Sequence, residues 1–199
     1  RMADLRKNYM NKLINSNLWN TNKNSSTHNC VIIYDWDDTL FFTSFLGQNN
    51  IVLDLYVNNV HDSNNSIFKQ IEVLVYDLLV MSLEKGDTYI ISNSSKGWVE
   101  FSCAKYFPSI TPLLEKLNIV SSRHLYESVF PKDYKRWKVE AFKDLLKKYN
   151  TYLVTNILSI GDSTYEIEAA HILGGYFREA YVKTIKFKTN PTPKELLKQ

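Results

Sequence analysis

The chain has 199 residues, about one domain's worth, and 44% of them are hydrophobic, enough to bury a core. Charged residues make up 23%, an ordinary globular share, which excludes wholesale disorder. The net charge of +3 fits an anionic substrate or partner and is too small to demand nucleic acid.

No apolar run approaches the ~18 residues of a membrane span. The longest, Val73 to Leu83, is interrupted by Asp77. The N-terminus lacks the charged-then-apolar pattern of a signal peptide, and two cysteines, Cys30 and Cys103, cannot form a disulfide framework. The expectation is a reducing compartment, cytoplasmic or nuclear, with no membrane attachment.

Residues 1–28 read as an appendage to a main domain over 29–199. Leu5, Met10, Leu13, Ile14 and Leu18 recur at helical spacing, so Ala3 to Ser16 is a candidate amphipathic helix. It packs on the domain or docks a partner, and the first is favoured because an exposed apolar stripe is a liability. The polar run Asn20 to Asn29 reads as a linker. Cys30 to Tyr34 is a buried-strand run rich in β-branched residues. Phe41 to Val57 is read as a small β-flap, with Ile51 to Val57 as one strand. Helical spacing runs from Ser66 to Glu84 and stops at Gly86. Thr88 to Ser92 is a second strand, and Gly97 to Tyr106 a helix that Pro108 ends. A turn at Pro112 to Leu117 precedes a third strand over Asn118 to Ser121. An amphipathic helix spans Trp137 to Tyr149, and Ile157 to Ile160 is a fourth strand. Thr164 to Leu173 is a helix, Tyr181 to Phe187 a fifth strand, and a short helix follows Pro193. Strands alternating with helices predict an α/β fold with a central parallel sheet covered on both faces. Ligands in such sheets bind beyond the carboxyl ends of the strands.

Those ends carry the chemistry. The first strand delivers Asp35, Asp37 and Asp38, three carboxylates within four residues, which repel one another unless a cation neutralises them. The fourth ends in Gly161-Asp162-Ser163-Thr164-Tyr165-Glu166, a second acidic pair. The second ends in Ser92-Asn93-Ser94-Ser95. Carboxylates gathered from two strand ends suit a hard cation such as Mg²⁺, and hydroxyl and amide donors beside them suit phosphate oxygens. Taken singly, Asp38, Thr39, Ser92, Ser163 and Thr164 are ordinary caps and turn formers. The convergence of acidic groups from two strands is what a purely structural role does not explain.

These residues resemble the haloacid dehalogenase-like (HAD) superfamily of phosphohydrolases. Its first motif, an apolar strand followed by Asp-x-Asp-x-Thr/Val, is matched by Val31 to Thr39. Its second, a Ser or Thr closing a strand, is matched by Ser92. Its third, a Lys at the start of a helix, is matched by Lys138, with Lys135 as the rival. Its fourth is matched by Gly161, Asp162 and Glu166, the last standing where Asp is commoner. The pairing of Asp35-Trp-Asp-Asp-Thr-Leu40 with Ser92 to Glu100 resembles a capless or minimally capped eukaryotic subgroup.

The resemblance implies a Rossmannoid three-layer fold over about Cys30 to Phe187, with no large cap domain. It implies a Mg²⁺-dependent phosphatase working through an aspartyl-phosphate. In that reading Asp35 is the nucleophile, and Asp37 is the general acid and then the base. The metal ligands are Asp35, Asp37 through its backbone carbonyl, Asp162, and Glu166 through a water. Thr39, Ser92, Asn93 and Lys138, with backbone N–H groups after Asp35 and Ser92, hold the phosphoryl oxygens. The dehalogenase branch lacks the second Asp, so Asp37 points to a phosphatase. The partner is a phosphorylated substrate, macromolecular or small, and an oligomer is compatible with the sequence. A catalytically idle scaffold of the same fold is the alternative, although such copies usually lose the nucleophile or a metal ligand. A phospho-accepting receiver domain fits less well, because the end of the third strand, Val120-Ser-Ser-Arg123, carries no Asp.

His28 with Cys30 makes no zinc site without a second ligand pair. His61, His124 and His171 are isolated, and Cys103 on an apolar helix face is expected to be buried and inert. Trp36 either shapes the pocket or belongs to the core. The basic stretches Lys132 to Lys148 and Lys183 to Lys198 read as solvated faces rather than a nucleic-acid platform.

Overall fold

The computed structural model of the chain describes residues 29–48 and 62–199. The expected N-terminal helix, the polar linker up to residue 28 and the Ile51–Val57 flap strand lie outside the described residues. Five strands form one sheet: β1 (Asn29–Tyr34), β2 (Asp87–Ser92), β3 (Asn118–Ser121), β4 (Val154–Gly161) and β5 (Tyr181–Lys186). All neighbours are parallel, in the order β3-β2-β1-β4-β5. This is a Rossmann-like α/β architecture. The chain builds outward from β1 to β3 and then crosses back to place β4 on the other side of β1. That reversal opens a crevice at the carboxyl ends of β1 and β4.

The central position of β1 follows from its sequence. Val31 to Tyr34 are all buried, so both faces of the strand need cover. Side chains alternate between two cores with the period of the pleat. Ile32, Tyr34, Ile90 and Ile160 join one cluster, and Val31, Ile33, Tyr89, Ile91 and Ile157 the other. The first face is covered by α2 (Asp62–Lys85), α3 (Trp98–Tyr106) and the terminal α7 (Pro193–Lys198). The second is covered by α5 (Tyr134–Asp144) and α6 (Thr164–Gly174). Among the described residues no helix is long and apolar enough to cross a membrane.

The local departures have identifiable causes. Where a β-flap was expected from Phe41, residues Thr43–Gln48 form a short helix, α1. Phe42 and Leu46, four residues apart, both turn inward, and the Leu46 N–H bonds the Phe42 carbonyl at 3.3 Å. The Asp38 carboxylate accepts the Ser44 N–H at 2.9 Å, which favours the first turn of a helix over an extended strand. After β3, Ser121 caps a short helix, α4 (Ser122–Tyr126), that apolar periodicity is too brief to reveal. Helix α5 begins three residues before Trp137 because Asp133 caps it, accepting the Arg136 N–H at 3.0 Å. Its last turn tightens into a 3-10 turn over Leu145–Lys147.

Between β1 and α1 the chain makes a tight turn over the site. The Trp36 carbonyl accepts N–H groups from Thr39, Leu40 and Phe41 at 3.3, 3.0 and 2.9 Å. Asp38 sits in the left-handed region, with φ 56°, and donates its N–H to the Phe41 carbonyl at 2.6 Å. An aromatic cluster holds this turn from below. Trp36 stacks on Phe41 at 5.8 Å, Phe41 on Phe42 at 4.7 Å, and Phe42 on Phe68 of α2 at 4.3 Å. Trp36 is fully buried and donates its indole N–H to Ser102, so it belongs to the core. Truncation of Phe42 to Ala leaves a cavity beneath the turn and is expected to destabilise the fold by about 3–5 kcal/mol. Urea unfolding of the variant measures this, and a loss below about 1 kcal/mol contradicts the described packing.

Candidate active site

The site is built on the last hydrogen bond between β1 and β4. The Asp35 N–H bonds the Ile160 carbonyl at 2.9 Å, extending the ladder one residue past β1. This fixes the Asp35 side chain beside the end of β4, where Asp162 follows two residues later. Helix α6 starts there. Ser163 and Glu166 form a capping box, in which Ser163 accepts the Tyr165 N–H and the Glu166 carboxylate takes the Ser163 N–H and hydroxyl. Gly161 makes room for this: a Cβ at that position would lie 2.4 Å from Glu166 Cγ. One carboxylate oxygen each from Asp35, Asp162 and Glu166 lies within 4.8 Å of the others.

Lys138, at the start of the second turn of α5, enters this group from the opposite face. It is 1% exposed, and its ammonium meets Asp35 Oδ1 at 2.8 Å, Glu166 Oε1 at 3.0 Å and the Ile91 carbonyl at 2.6 Å. Three acceptors match its three protons, which is the condition for burying a charged lysine. Lys135, the rival candidate, lies on the surface paired with Glu168. The choice between the two lysines therefore falls on Lys138.

Three carboxylates against one ammonium leave an excess of negative charge at a poorly hydrated place. Burial pushes the Asp35 carboxyl up to about 8, against the pull of Lys138, with Glu166 and Asp37 adding repulsion. Burial raises Asp162 to about 6, helped by the charges of Glu166 and Asp38. Burial acts on Glu166 in the same sense, but Lys138 and Ser163 outweigh it and hold that carboxyl below its usual range. Burial would lower Lys138, and the two carboxylates it touches more than offset this and raise it. Hard oxygen donors at this spacing, carrying uncompensated charge, fit a divalent cation.

The three adjacent acids of the β1 end take three different sets of partners. Asp35 joins the cluster just described. Asp38, in its left-handed conformation, turns to the Ser44 N–H, and burial raises its carboxyl. Asp37 turns toward the end of β2. Its Oδ1 accepts Thr43 Oγ1 at 2.5 Å and Trp98 Nε1 at 2.8 Å, and its Oδ2 accepts Ser92 Oγ at 2.8 Å and Ser94 Oγ at 2.6 Å. The Asp37 side chain is thus outside the carboxylate group that could hold a cation, and the role expected of it there rests on its backbone carbonyl.

The expected phosphate-binding residues fall into two groups. Lys138 and Asn93 line an open cleft of about 380 Å³ together with Asp35, Asp37 and Asp162. Asn93 donates to the Tyr134 carbonyl at 3.0 Å. Ser92 is 2% exposed, and its hydroxyl donates to Asp37 while accepting the Ser94 N–H at 2.9 Å. Thr39 is 2% exposed, with its hydroxyl buried and unpaired. Neither Thr39 nor Ser92 faces the cleft. The N–H groups of Asp38 through Phe41 are taken up inside the turn. Ser94, Thr43 and Trp98 were not singled out from the sequence. Ser94 carried a signal in its place two residues after Ser92 on an exposed polar turn, whereas Thr43 and Trp98 reach Asp37 only through tertiary packing. Cys103 is buried, its thiol pushed up to about 11 by that burial, in keeping with an inert role.

Without a divalent cation, the folded chain binds protons at Asp35 and Asp162 more tightly than the unfolded chain does. The stability these two carboxyls contribute is therefore fully present below the ordinary carboxyl range and is lost as pH rises through about 6 and about 8. In chelator, the melting temperature is expected to be higher at pH 5.5 than at pH 8.5, and Asp35→Asn removes the upper part of this slope. A flat or rising profile overturns the charge assignment. Lys138→Met strands Asp35 and Glu166 without a cation and is expected to lose about 3–5 kcal/mol in denaturant unfolding at pH 8. No protein-family model, curated protein or solved structure matches the chain, so no relative's activity bears on it.

Proposed function

We propose that the protein is a Mg²⁺-dependent phosphohydrolase of the haloacid dehalogenase-like type, acting on a phosphomonoester through an aspartyl-phosphate. The observation that carries this reading is the Asp35 carboxylate at the fold's topological switch point. It is buried, held by Lys138, and joined by Asp162 and Glu166 from the neighbouring strand end. Asp35, Asp162 and Glu166 would hold the divalent cation, which would neutralise charge among these carboxylates and supply Lewis-acid polarisation of the phosphoryl group.

Asp35 attacks phosphorus in line as the carboxylate, and Lys138 aims it. Because burial raises the Asp35 carboxyl to about 8 against the pull of that ammonium, a bound cation would be needed to keep it ionised at neutral pH. The three donors of Lys138 are already engaged, so contact with a phosphoryl oxygen requires it to share one of them. Asp37 lines the same cleft and delivers a proton to the leaving oxygen, then removes one from the water that hydrolyses the intermediate. Its shell suits both tasks, because three of its four partners are hydroxyls able to donate or accept. Asn93 stands at the cleft wall as a neutral donor for the phosphoryl group. The open rim, where Tyr134 is 52% exposed, admits a phosphorylated side chain of a larger partner as readily as a small ester.

Hydrolysis of p-nitrophenyl phosphate is expected to require Mg²⁺ and to fall by about 10³-fold or more in Asp35→Asn. Beryllium fluoride is expected to bind beside Asp35 only with Mg²⁺ present. Turnover equal in wild type and Asp35→Asn would favour a non-catalytic scaffold, and anion binding indifferent to chelator would remove the metal from the assignment.

A further inference from the structure

Of the four groups around Asp37, the hydroxyls of Thr43, Ser92 and Ser94 donate to it here, and a hydroxyl can also accept when its proton turns away. The Trp98 indole N–H only donates, and it reaches Oδ1 at 2.8 Å. An oxygen facing an obligate donor remains an acceptor. A proton on Asp37 therefore belongs on Oδ2, between the hydroxyls of Ser92 and Ser94.

Trp98 is held firmly enough to impose this. It is the first residue of α3, preceded by Gly97 at φ 86°, and its own N–H bonds the Ser95 carbonyl at 3.1 Å. Its ring meets Phe41 edge-on at 6.3 Å and tilts against Phe101. Its carbonyl accepts the Ser102 hydroxyl at 2.7 Å, and that hydroxyl accepts the Trp36 indole N–H at 2.9 Å. Trp98 is thus tied through Ser102 to the residue lying between Asp35 and Asp37.

We infer that Trp98 is a positioning residue for the proton transfer of Asp37, fixing Oδ1 so that Oδ2 carries the proton to the leaving oxygen. The inference rests on the phosphohydrolase reading. In the first step a lone pair of Asp35 forms the new O–P bond while the ester P–O bond breaks. Its electron pair stays on the ester oxygen, which takes the proton from Asp37 Oδ2 and departs as the alcohol. In the second step Asp37, now a carboxylate, takes a proton from water as that water attacks phosphorus. Asp35 leaves as a carboxylate, inorganic phosphate is released and Asp37 is again protonated. A leaving group that is already stable as an anion has little need of the proton, whereas an alkoxide depends on it.

Trp98→Phe keeps an aromatic, though smaller, side chain and removes the N–H, so the test is a series of phosphate monoesters of rising leaving-group pKa. The expected result is a kcat loss of about 10-fold or more on alkyl phosphates, about 3-fold or less on p-nitrophenyl phosphate, and little change in KM. Asp37→Asn is expected to reproduce the trend, and adding Trp98→Phe to it is expected to change little further. Equal loss on every ester, or none, overturns the inference and leaves the phosphohydrolase reading intact. A wild-type protein inert on the whole series overturns that reading and this inference with it. Nitrogen-15 indole spectra of the intact chain, which has four tryptophans, give a readout free of any effect of Trp98→Phe on folding. The Trp98 N–H proton is expected downfield and shifts upfield in Asp37→Asn, and an unmoved resonance also overturns the assignment.

Discussion

Lys138 is the charge on which the arrangement depends. Its ammonium lies fully inside the protein and is stable there because three acceptors from three elements meet it at once: Asp35 after β1, the Ile91 carbonyl of β2 and Glu166 of α6. A buried ion pair is weak evidence for stability in itself, since desolvation offsets most of the attraction. What it contributes here is register. Helix α5 cannot slide or rotate against the sheet without stranding a charge, so the ammonium ties the two strand ends of the crevice to the helix packed across them.

The excess of carboxylate over ammonium gives the site its character. Lys138 balances one negative charge, and the surrounding protein disfavours the others, which is why Asp35 and Asp162 are both shifted upward. Two remedies exist: protonation as pH falls through about 8 and about 6, or a divalent cation. The same crowding that weakens the fold at high pH therefore makes the site attractive to a hard metal ion, and stability and cation affinity are two sides of one electrostatic imbalance.

Much of this was legible in the sequence because it is carried by short-range patterns. The β-branched run before Asp35, the small polar turn after Ile91 and the Gly-Asp pair after Ile160 mark strand ends by composition alone, and all five strands lie where those patterns placed them. What the sequence concealed was orientation. Adjacent Asp35, Asp37 and Asp38 read as one acidic cluster, whereas the left-handed turn at Asp38 and the convergence of three N–H groups on the Trp36 carbonyl send them to separate partners. The helix at Thr43–Gln48 was missed for a similar reason. Its helical start depends on a side chain from before the turn, Asp38, and on aromatic packing against Phe68, neither of which has a periodic signature.

The ion pair of Lys138 with Asp35 spans 103 residues of chain, and the sheet partner of β1 on that side, β4, begins later still. During synthesis β1 and β2 can associate early, but the opposite edge of β1 then waits until Val154 to Gly161 emerge. That edge is apolar and unpaired in the interval, and its terminal acid has no counter-charge. Such long-range closure slows folding and leaves a period of exposure to aggregation. The arrival of Val154 to Glu166 thus completes the sheet and the acidic site together, so a nascent chain stalled before that point has neither.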